Sequence, residues 1–316
     1  MLQSDVIIMN MREEMLIKLE PAEKALLKYT DVSGSFLTKK VKRLLQLKQR
    51  FLLSFLVRLL NLPITKRVTL FWGRKICLPL YDINSRYMYF FGILGKEELP
   101  LIKYLIKNQE KLAVFYDIGA NHGFYSNLVS DYLTDSKVYA FEPNPGLKDF
   151  LNKNLSKNVR LENIALTNKS GTISFYSSLE TGASGISTTE TTVANKKNKH
   201  FTEIIVNAIT FDEYCSQNEI PTFIKLDVEG GELNVLKGAE KILKVHSPII
   251  AMEAWSGEYG DDFSKKAQSF LQSIGYSMYS IDIQGEISLV EKVNFNNIDS
   301  SFSNFLFIKN ESKNQT

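Results

Sequence analysis

Val114-Phe115-Tyr116-Asp117-Ile118-Gly119-Ala120-Asn121-His122-Gly123-Phe124-Tyr125-Ser126 decides how the rest of the chain is read. A short apolar run ends in an acid, a glycine-bearing turn follows, and a helix starts after it. That is the outline of a strand delivering a ligand-binding turn at the carboxyl edge of a sheet. Gly119 and Gly123 permit tight dihedrals and the close approach of a ligand. Asp117 selects the ligand's charge: a carboxylate repels the phosphates of a dinucleotide and favours a cation.

Outward from this turn, the pattern is strand and helix in alternation. Strands are expected at 113–116, 137–141, 159–166, 172–176, 204–208, 223–228, 248–254, 276–283 and 303–309. Helices are expected at 124–133, 147–155, 210–215, 231–243 and 264–274. Such alternation means a doubly wound α/β fold with a mostly parallel sheet and helices on both faces. The last strands lack an intervening helix, so an antiparallel C-terminal strand is expected. Residues 181–199 are rich in Ser, Thr, Gly and Asn and read as a loop, and 310–316 read as a polar tail.

Upstream, residues 1–35 read as helical, with Pro21 placed where a second helix would begin. A further helix is expected over 38–61, ended by Pro63, with a short hairpin around Gly73 at 68–80 and a helix opened by Pro100 at 99–108. The expected organisation is an N-terminal helical extension over 1–65, an accessory hairpin and helix over 66–110, and the α/β domain over 111–312. The 316 residues carry a net charge of only +3, which gives no global signature of nucleic-acid binding. The charge is uneven, because no Asp or Glu occurs from Val32 to Tyr81 while eleven Lys and Arg do. Three uses remain open for the basic, apolar helix at 38–61: packing on its own domain or in a homodimer, peripheral contact with an anionic membrane surface, and a groove for an anionic substrate. Cys77 and Cys215 have neither a disulfide framework nor zinc spacing. No secretory signal and no spanning apolar run is visible, so a cytoplasmic place is expected, with any membrane contact at the inner face.

Several acids fall at expected strand ends. Glu142 closes the second strand of the βαβ unit, at the distance where a carboxylate meets the two vicinal hydroxyls of a ribose. S-adenosylmethionine, with a sulfonium, an ammonium and no phosphate, satisfies both Asp117 and Glu142. In Phe223-Ile224-Lys225-Leu226-Asp227-Val228-Glu229-Gly230-Gly231-Glu232, two acids spaced by one residue end a buried strand before a double-glycine turn. If the strand continues, Asp227 and Glu229 point the same way; Glu232 reads as decoration of the following helix N-terminus. Glu253 closes the next strand, and His122 lies inside the first turn within reach of a substrate.

These pieces resemble the FkbM-type S-adenosylmethionine-dependent methyltransferases. The matching stretches are 115–123, Ala140-Phe141-Glu142-Pro143-Asn144-Pro145, Asn163-Ile164-Ala165-Leu166, and 225–232 with Val235-Leu236-Lys237-Gly238. Asn121 stands where commoner methyltransferases carry the middle glycine of the turn. The resemblance begins near Phe71, and nothing carries over to the residues before it. It implies a Rossmann-like class I methyltransferase fold and O-methylation of a hydroxyl on a sugar, polysaccharide or related natural product. It places the cofactor against Asp117, Gly119, Ala120, Asn121, Gly123, Tyr125, Glu142, Pro143, Asn163, Ala165 and Asp227. The proton acceptor is expected to be Asp227 or Glu229, with His122 and Glu253 as further candidates. A divalent metal on these acids is a second use of the same carboxylates. Two rival functions use the same fold: a nicotinamide oxidoreductase, opposed by Asp117, and a non-catalytic glycan- or membrane-binding module.

Overall fold

The computed structural model describes residues 2–30, 64–80, 82–133, 135–177, 189, 202–255, 261–290 and 302–309. The expected helix at 38–61, almost all of the 181–199 loop and the polar tail lie outside the described residues. None of the described helices is long and apolar enough to cross a membrane.

The chain begins with α1 (Leu2–Thr30), a single helix that runs through Pro21 rather than restarting there. Met15 and Leu19 before the proline and Leu26 after it are all buried, so packing carries the axis across the lost hydrogen bond. Strands β1 (Thr65–Thr69) and β2 (Lys75–Pro79) form the expected antiparallel hairpin, with Gly73 at φ +98° in its turn. Next comes α2 (Ile83–Phe91), which the sequence reading did not anticipate. Asp82 caps it by accepting from Ser85 N at 2.8 Å, and Gly92 closes it in the left-handed region. A 3₁₀ turn at Lys96–Glu98 leads into α3 (Leu99–Lys107), with Pro100 in its first turn. Lys103 on α3 pairs with Glu23 on α1 at 2.8 Å, fastening the N-terminal helix to the body.

From β3 (Val114–Ile118) the alternation unfolds as α4 (Phe124–Tyr132), β4 (Lys137–Phe141), α5 (Pro145–Asn154) and β5 (Val159–Glu162). A small three-stranded sheet follows, made of β6 (Ala165–Thr167), β7 (Gly171–Ser177) and β8 (Thr202–Thr210). Then come α6 (Phe211–Cys215), β9 (Phe223–Leu226), α7 (Glu232–Gly238), α8 (Glu240–His246), β10 (Ile249–Trp255), α9 (Asp261–Ser273), β11 (Tyr276–Ile281), β12 (Ile287–Leu289) and β13 (Phe302–Lys309). The main sheet has the order β12-β11-β13-β10-β9-β3-β4-β5. Strands β10, β9, β3, β4 and β5 are parallel, and β13 runs antiparallel between β10 and β11. The chain leaves β3 toward β4 and β5, then returns to β9 on the other side of β3. That reversal is the topological switch point where such sheets bind ligands.

Three expected elements are corrected. The single strand at 159–166 is two strands in different sheets, because the chain turns at Asn163, whose side chain donates to the Glu142 carbonyl at 3.3 Å. The strand at 223–228 stops at Leu226. The helix at 231–243 is broken into α7 and α8, because the Asp212 carboxylate accepts from Lys241 N and Ile242 N and caps a fresh helix start.

Strand alternation sorts the core into two layers. Phe115, Val138, Phe223 and Ala251 face one side with α3, α4, the hairpin and α1. Tyr116, Ile118, Tyr139, Phe141, Ile224, Leu226, Ile250 and Met252 face the other with α6 to α9. Asp117 and Lys225 share the parity of Phe115 and Phe223, and the two are register partners. Glu253 shares the parity of Ala251, so all three charged groups emerge on the α3–α4 side. This parity sets the chemistry of the site.

Candidate active site

The turn after β3 is held from two directions. Gly119 N and Ala120 N both donate to the Phe141 carbonyl at 3.0 Å, which ties the turn to the end of β4. Gly119 has φ +87°, and a β-carbon there would lie 1.8 Å from the Asp227 carbonyl, so the turn presses directly on the end of β9. Asn121 also holds a positive φ of 50°, a region that asparagine enters more readily than most residues. Glu142 accepts from Asn121 N at 2.9 Å and from Asn144 N at 3.0 Å, leaving further lone pairs on both oxygens. Burial pushes its carboxyl up to about 7, against the pull of those two amides. Asp117 accepts from Ser126 N at 2.9 Å and Ser126 Oγ at 2.6 Å at the start of α4, and burial pushes it up to about 6.

Two cavities flank the turn. The first has about 730 Å³ counted out to its mouth and is walled by Phe141, Glu142, Pro143, Ile164, Ala165 and Val228, among others. The second, about 550 Å³, is walled by Glu97, Glu98, Asp117, Ala120, Tyr125 and Lys225, among others. The first joins apolar walls to three acids, Glu142, Asp227 and Glu229, and the second is a charged chamber.

In that chamber Lys225 is 1% exposed and its Nζ lies 3.1 Å from Asp227 Oδ2 and 5.6 Å from the Tyr125 ring centroid. Burial alone would lower the ammonium's pKa, but the carboxylates of Asp227, Glu98 and Glu253 outweigh it and hold the pKa above its ordinary value. Glu98 accepts from Tyr125 Oη and from Asn304 Nδ2, and burial raises its pKa. Asp227, Glu229 and Glu253 offer oxygens that all lie within 4.8 Å of one another. Burial first, and then the charges of Asp227, Glu229 and Glu98, push Glu253 well above the usual carboxylate range. Protons and one lysine thus share a site that carries more carboxylates than cations.

The predicted site residues divide accordingly. Asp117, Gly119, Ala120, Asn121, Tyr125, Glu142, Pro143, Ala165 and Asp227 line one or both cavities, whereas Gly123 and Asn163 line neither. Gly123 presses on Leu155, and Asn163 steadies the Glu142 backbone. Glu229 joins Asp227 by a different route from the one the sequence suggests: it sits at φ +55° in the turn after β9, not on a continuing strand. Glu232 accepts from Gly230 N at 3.1 Å and serves the helix start, as expected. His122 is 2% exposed and engages Ser85 Oγ at 3.1 Å and Asp82 at 3.3 Å through Nε2, so that nitrogen serves the α2 cap. Sequence reasoning missed Lys225, Glu98 and Asn84. Lys225 had a usable signal, since a lysine inside an apolar strand is costly unless paired; the other two are delivered by tertiary packing alone.

Residues 117–278 match the family model described as the methyltransferase FkbM domain, about half of the chain. Over 165 residues the chain is 33% identical to hexuronic acid methyltransferase AglP of Haloferax volcanii, covering 50% of this chain and 63% of that one. The chain therefore spans less than two thirds of this curated relative. Among solved structures, it is similar to a methyltransferase FkbM from Methylobacillus flagellatus KT (14% identity, TM-score 0.38, covering 72% of this chain and 55% of that one). It is also similar to a precorrin-6y C5,15-methyltransferase from Geobacter metallireducens GS-15 (15% identity, TM-score 0.38, covering 68% and 88%).

Proposed function

The chain belongs to the FkbM methyltransferase domain family, and from that membership we propose that it is an S-adenosylmethionine-dependent O-methyltransferase acting on a sugar hydroxyl. The observation that carries this reading is the charge of the site. Among the described lining residues Lys225 is the one lysine or arginine, against Asp117, Glu142, Asp227, Glu229, Glu97 and Glu98. A sulfonium and an ammonium relieve that imbalance, and the pyrophosphate of a nicotinamide cofactor worsens it. The residues fit such a ligand in a second respect. Asn121 Oδ1 is buried without a hydrogen-bond partner among the described residues, which leaves it open to a donor.

In this reading, Glu142 grips the ribose hydroxyls, Pro143 and Ala165 wall the base, and Asp117 and Asn121 face the amino-acid end. The cofactor supplies an electrophilic methyl group on a sulfonium. The chain's own work is to orient an acceptor oxygen, exclude water and take its proton. Asp227, at the meeting of the two cavities, is the proton acceptor we assign, with Lys225 holding its carboxylate in place. Glu229 and Glu253 stand beside it, and the same three acids would hold a hard divalent cation. The sugar class of the acceptor is supported by the likeness to a hexuronic acid methyltransferase.

Calorimetry with S-adenosylhomocysteine and with NAD tests the cofactor, and only the first is expected to bind. Asp227→Asn should bind it normally yet lose roughly 10²–10⁴-fold in turnover, the range of a positioned base. Wild-type turnover by that variant would remove Asp227 from the mechanism.

A further inference from the structure

Four residues border both cavities: Asn84, Gly119, Asn121 and Asp227. In the reading above the cofactor spans both cavities, so these four border its middle, where the sulfonium methyl would lie. Gly119, Asn121 and Asp227 belong to the ligand edge of the main sheet. Asn84 does not. It comes from the first turn of α2, upstream of the segment that matches the family. Its half-buried carboxamide engages no hydrogen-bond partner among the described residues. By contrast, Asp117, Glu98, Lys225 and His122 in the same walls are each committed to protein partners.

The placement of Asn84 is built, not incidental. Asp82 and Ser85, on either side of it, are fully buried. Both engage His122, which follows Asn121 directly in the cofactor turn. Asp82 also caps α2 through Ser85 N, so the helix start is closed and the Asn84 side chain is the group left facing the junction. The His122 contact thus locks the first turn of α2 to the ligand turn.

We propose that Asn84 is an acceptor-positioning residue, its carboxamide hydrogen-bonding the sugar beside the attacking hydroxyl. A carboxamide offers both donors and an acceptor, which suits vicinal hydroxyls and adds no charge to an acid-rich mouth. The hairpin and α2 thereby become part of the active site, as the wall on which the acceptor is oriented. This inference rests on the methyl-transfer reading above.

The test separates the two. In a Cys77→Ser background, Asn84→Cys is alkylated with iodoacetamide with and without S-adenosylhomocysteine, with binding followed by calorimetry. Cys215, the other free thiol, is buried. Bound S-adenosylhomocysteine is expected to slow alkylation about tenfold or more by covering the junction. In parallel, Asn84→Ala is compared with wild type using p-nitrophenyl β-glucuronide and p-nitrophenyl β-glucoside as acceptors. Its acceptor kcat/KM should fall roughly 10- to 100-fold, the cost of a misplaced reactant, while its affinity for S-adenosylhomocysteine holds. Binding without protection of the introduced thiol, or unchanged acceptor kinetics, overturns this proposal alone. So does an equal loss of cofactor affinity in Asn84→Ala. A wild type that fails to bind S-adenosylhomocysteine, or methylates neither glycoside, overturns the methyl-transfer reading and this proposal with it.

Discussion

Gly119→Ala tests whether the ligand turn is held by contact with β9 or only by its own backbone geometry. Two penalties are separable in this fold. The first is conformational: a β-carbon at positive φ costs about 1–2 kcal/mol. The second is steric. The new methyl would lie 1.8 Å from the Asp227 carbonyl and 2.8 Å from its carbon, and both are backbone atoms that cannot swing away. The turn and the end of β9 must part by more than an ångström. At risk are Asp227 N to Ile118 O at 2.9 Å and the paired bonds from Gly119 N and Ala120 N to Phe141 O at 3.0 Å. At roughly 1 kcal/mol for each net hydrogen bond lost, the steric penalty is about 2–3 kcal/mol. The sum, about 3–5 kcal/mol, is a large share of the 5–15 kcal/mol that holds a typical domain together. Gly73 supplies the control. It has φ +98° and no described residue within 4 Å of a would-be β-carbon, so Gly73→Ala meets the conformational penalty alone. Urea unfolding of both variants should therefore show Gly119→Ala less stable than Gly73→Ala by about 2–3 kcal/mol. It should also weaken S-adenosylhomocysteine binding while Gly73→Ala does not. Equal destabilisation of the two, with binding intact in both, would refute the claim that contact with Asp227 shapes the turn.

Glu142 predicts a pH dependence whose sign is fixed by its burial. Its carboxyl titrates near 4.5 when free and at about 7 here, so between those values the folded chain holds a proton that the unfolded chain releases. Its contribution thus makes stability fall as pH rises from 4.5 to 7, by on the order of 3 kcal/mol. Glu142→Gln should flatten the difference between urea midpoints at about pH 5 and about pH 8; an unchanged slope would show that the raised carboxyl lies elsewhere. Lys225→Met leaves Asp227, Glu98 and Glu253 facing one another without the ammonium, and breaking a buried pair in this way costs about 3–5 kcal/mol. Adding Glu98→Gln to that variant removes one of the stranded carboxylates and should recover part of the loss. A double variant no more stable than Lys225→Met would argue that Lys225 acts by packing, and thermal unfolding of the pair reads this directly.

The architecture was legible where the information is local. Phe115 and Tyr116 face opposite layers because they are adjacent on a strand, and the same parity places Asp117, Lys225 and Glu253 on one side of the sheet. Gly119 was legible because the turn allows nothing larger. Glu142 was legible because the end of the second strand in such a unit has a fixed place relative to the first. Where the chain bends against a distant partner, the pattern gave no warning. Asp212 breaks the helix between α7 and α8 from 29 residues away, and Glu229 reaches Asp227 through a left-handed turn, not along a strand. The harder case concerns His122. From the sequence it is a histidine in the ligand turn and hence a candidate base. Its environment is set by Asp82 and Ser85, which the sequence places some forty residues earlier with no pattern to mark them. A titratable group in such a turn is therefore no guide to its task until its partner is known. Here the partner, the cap of α2, brings the uncommitted Asn84 to the junction of the cavities. His122 gives one ring nitrogen to that cap while lining the second cavity, and Asn84, which no sequence pattern marks, borders both cavities.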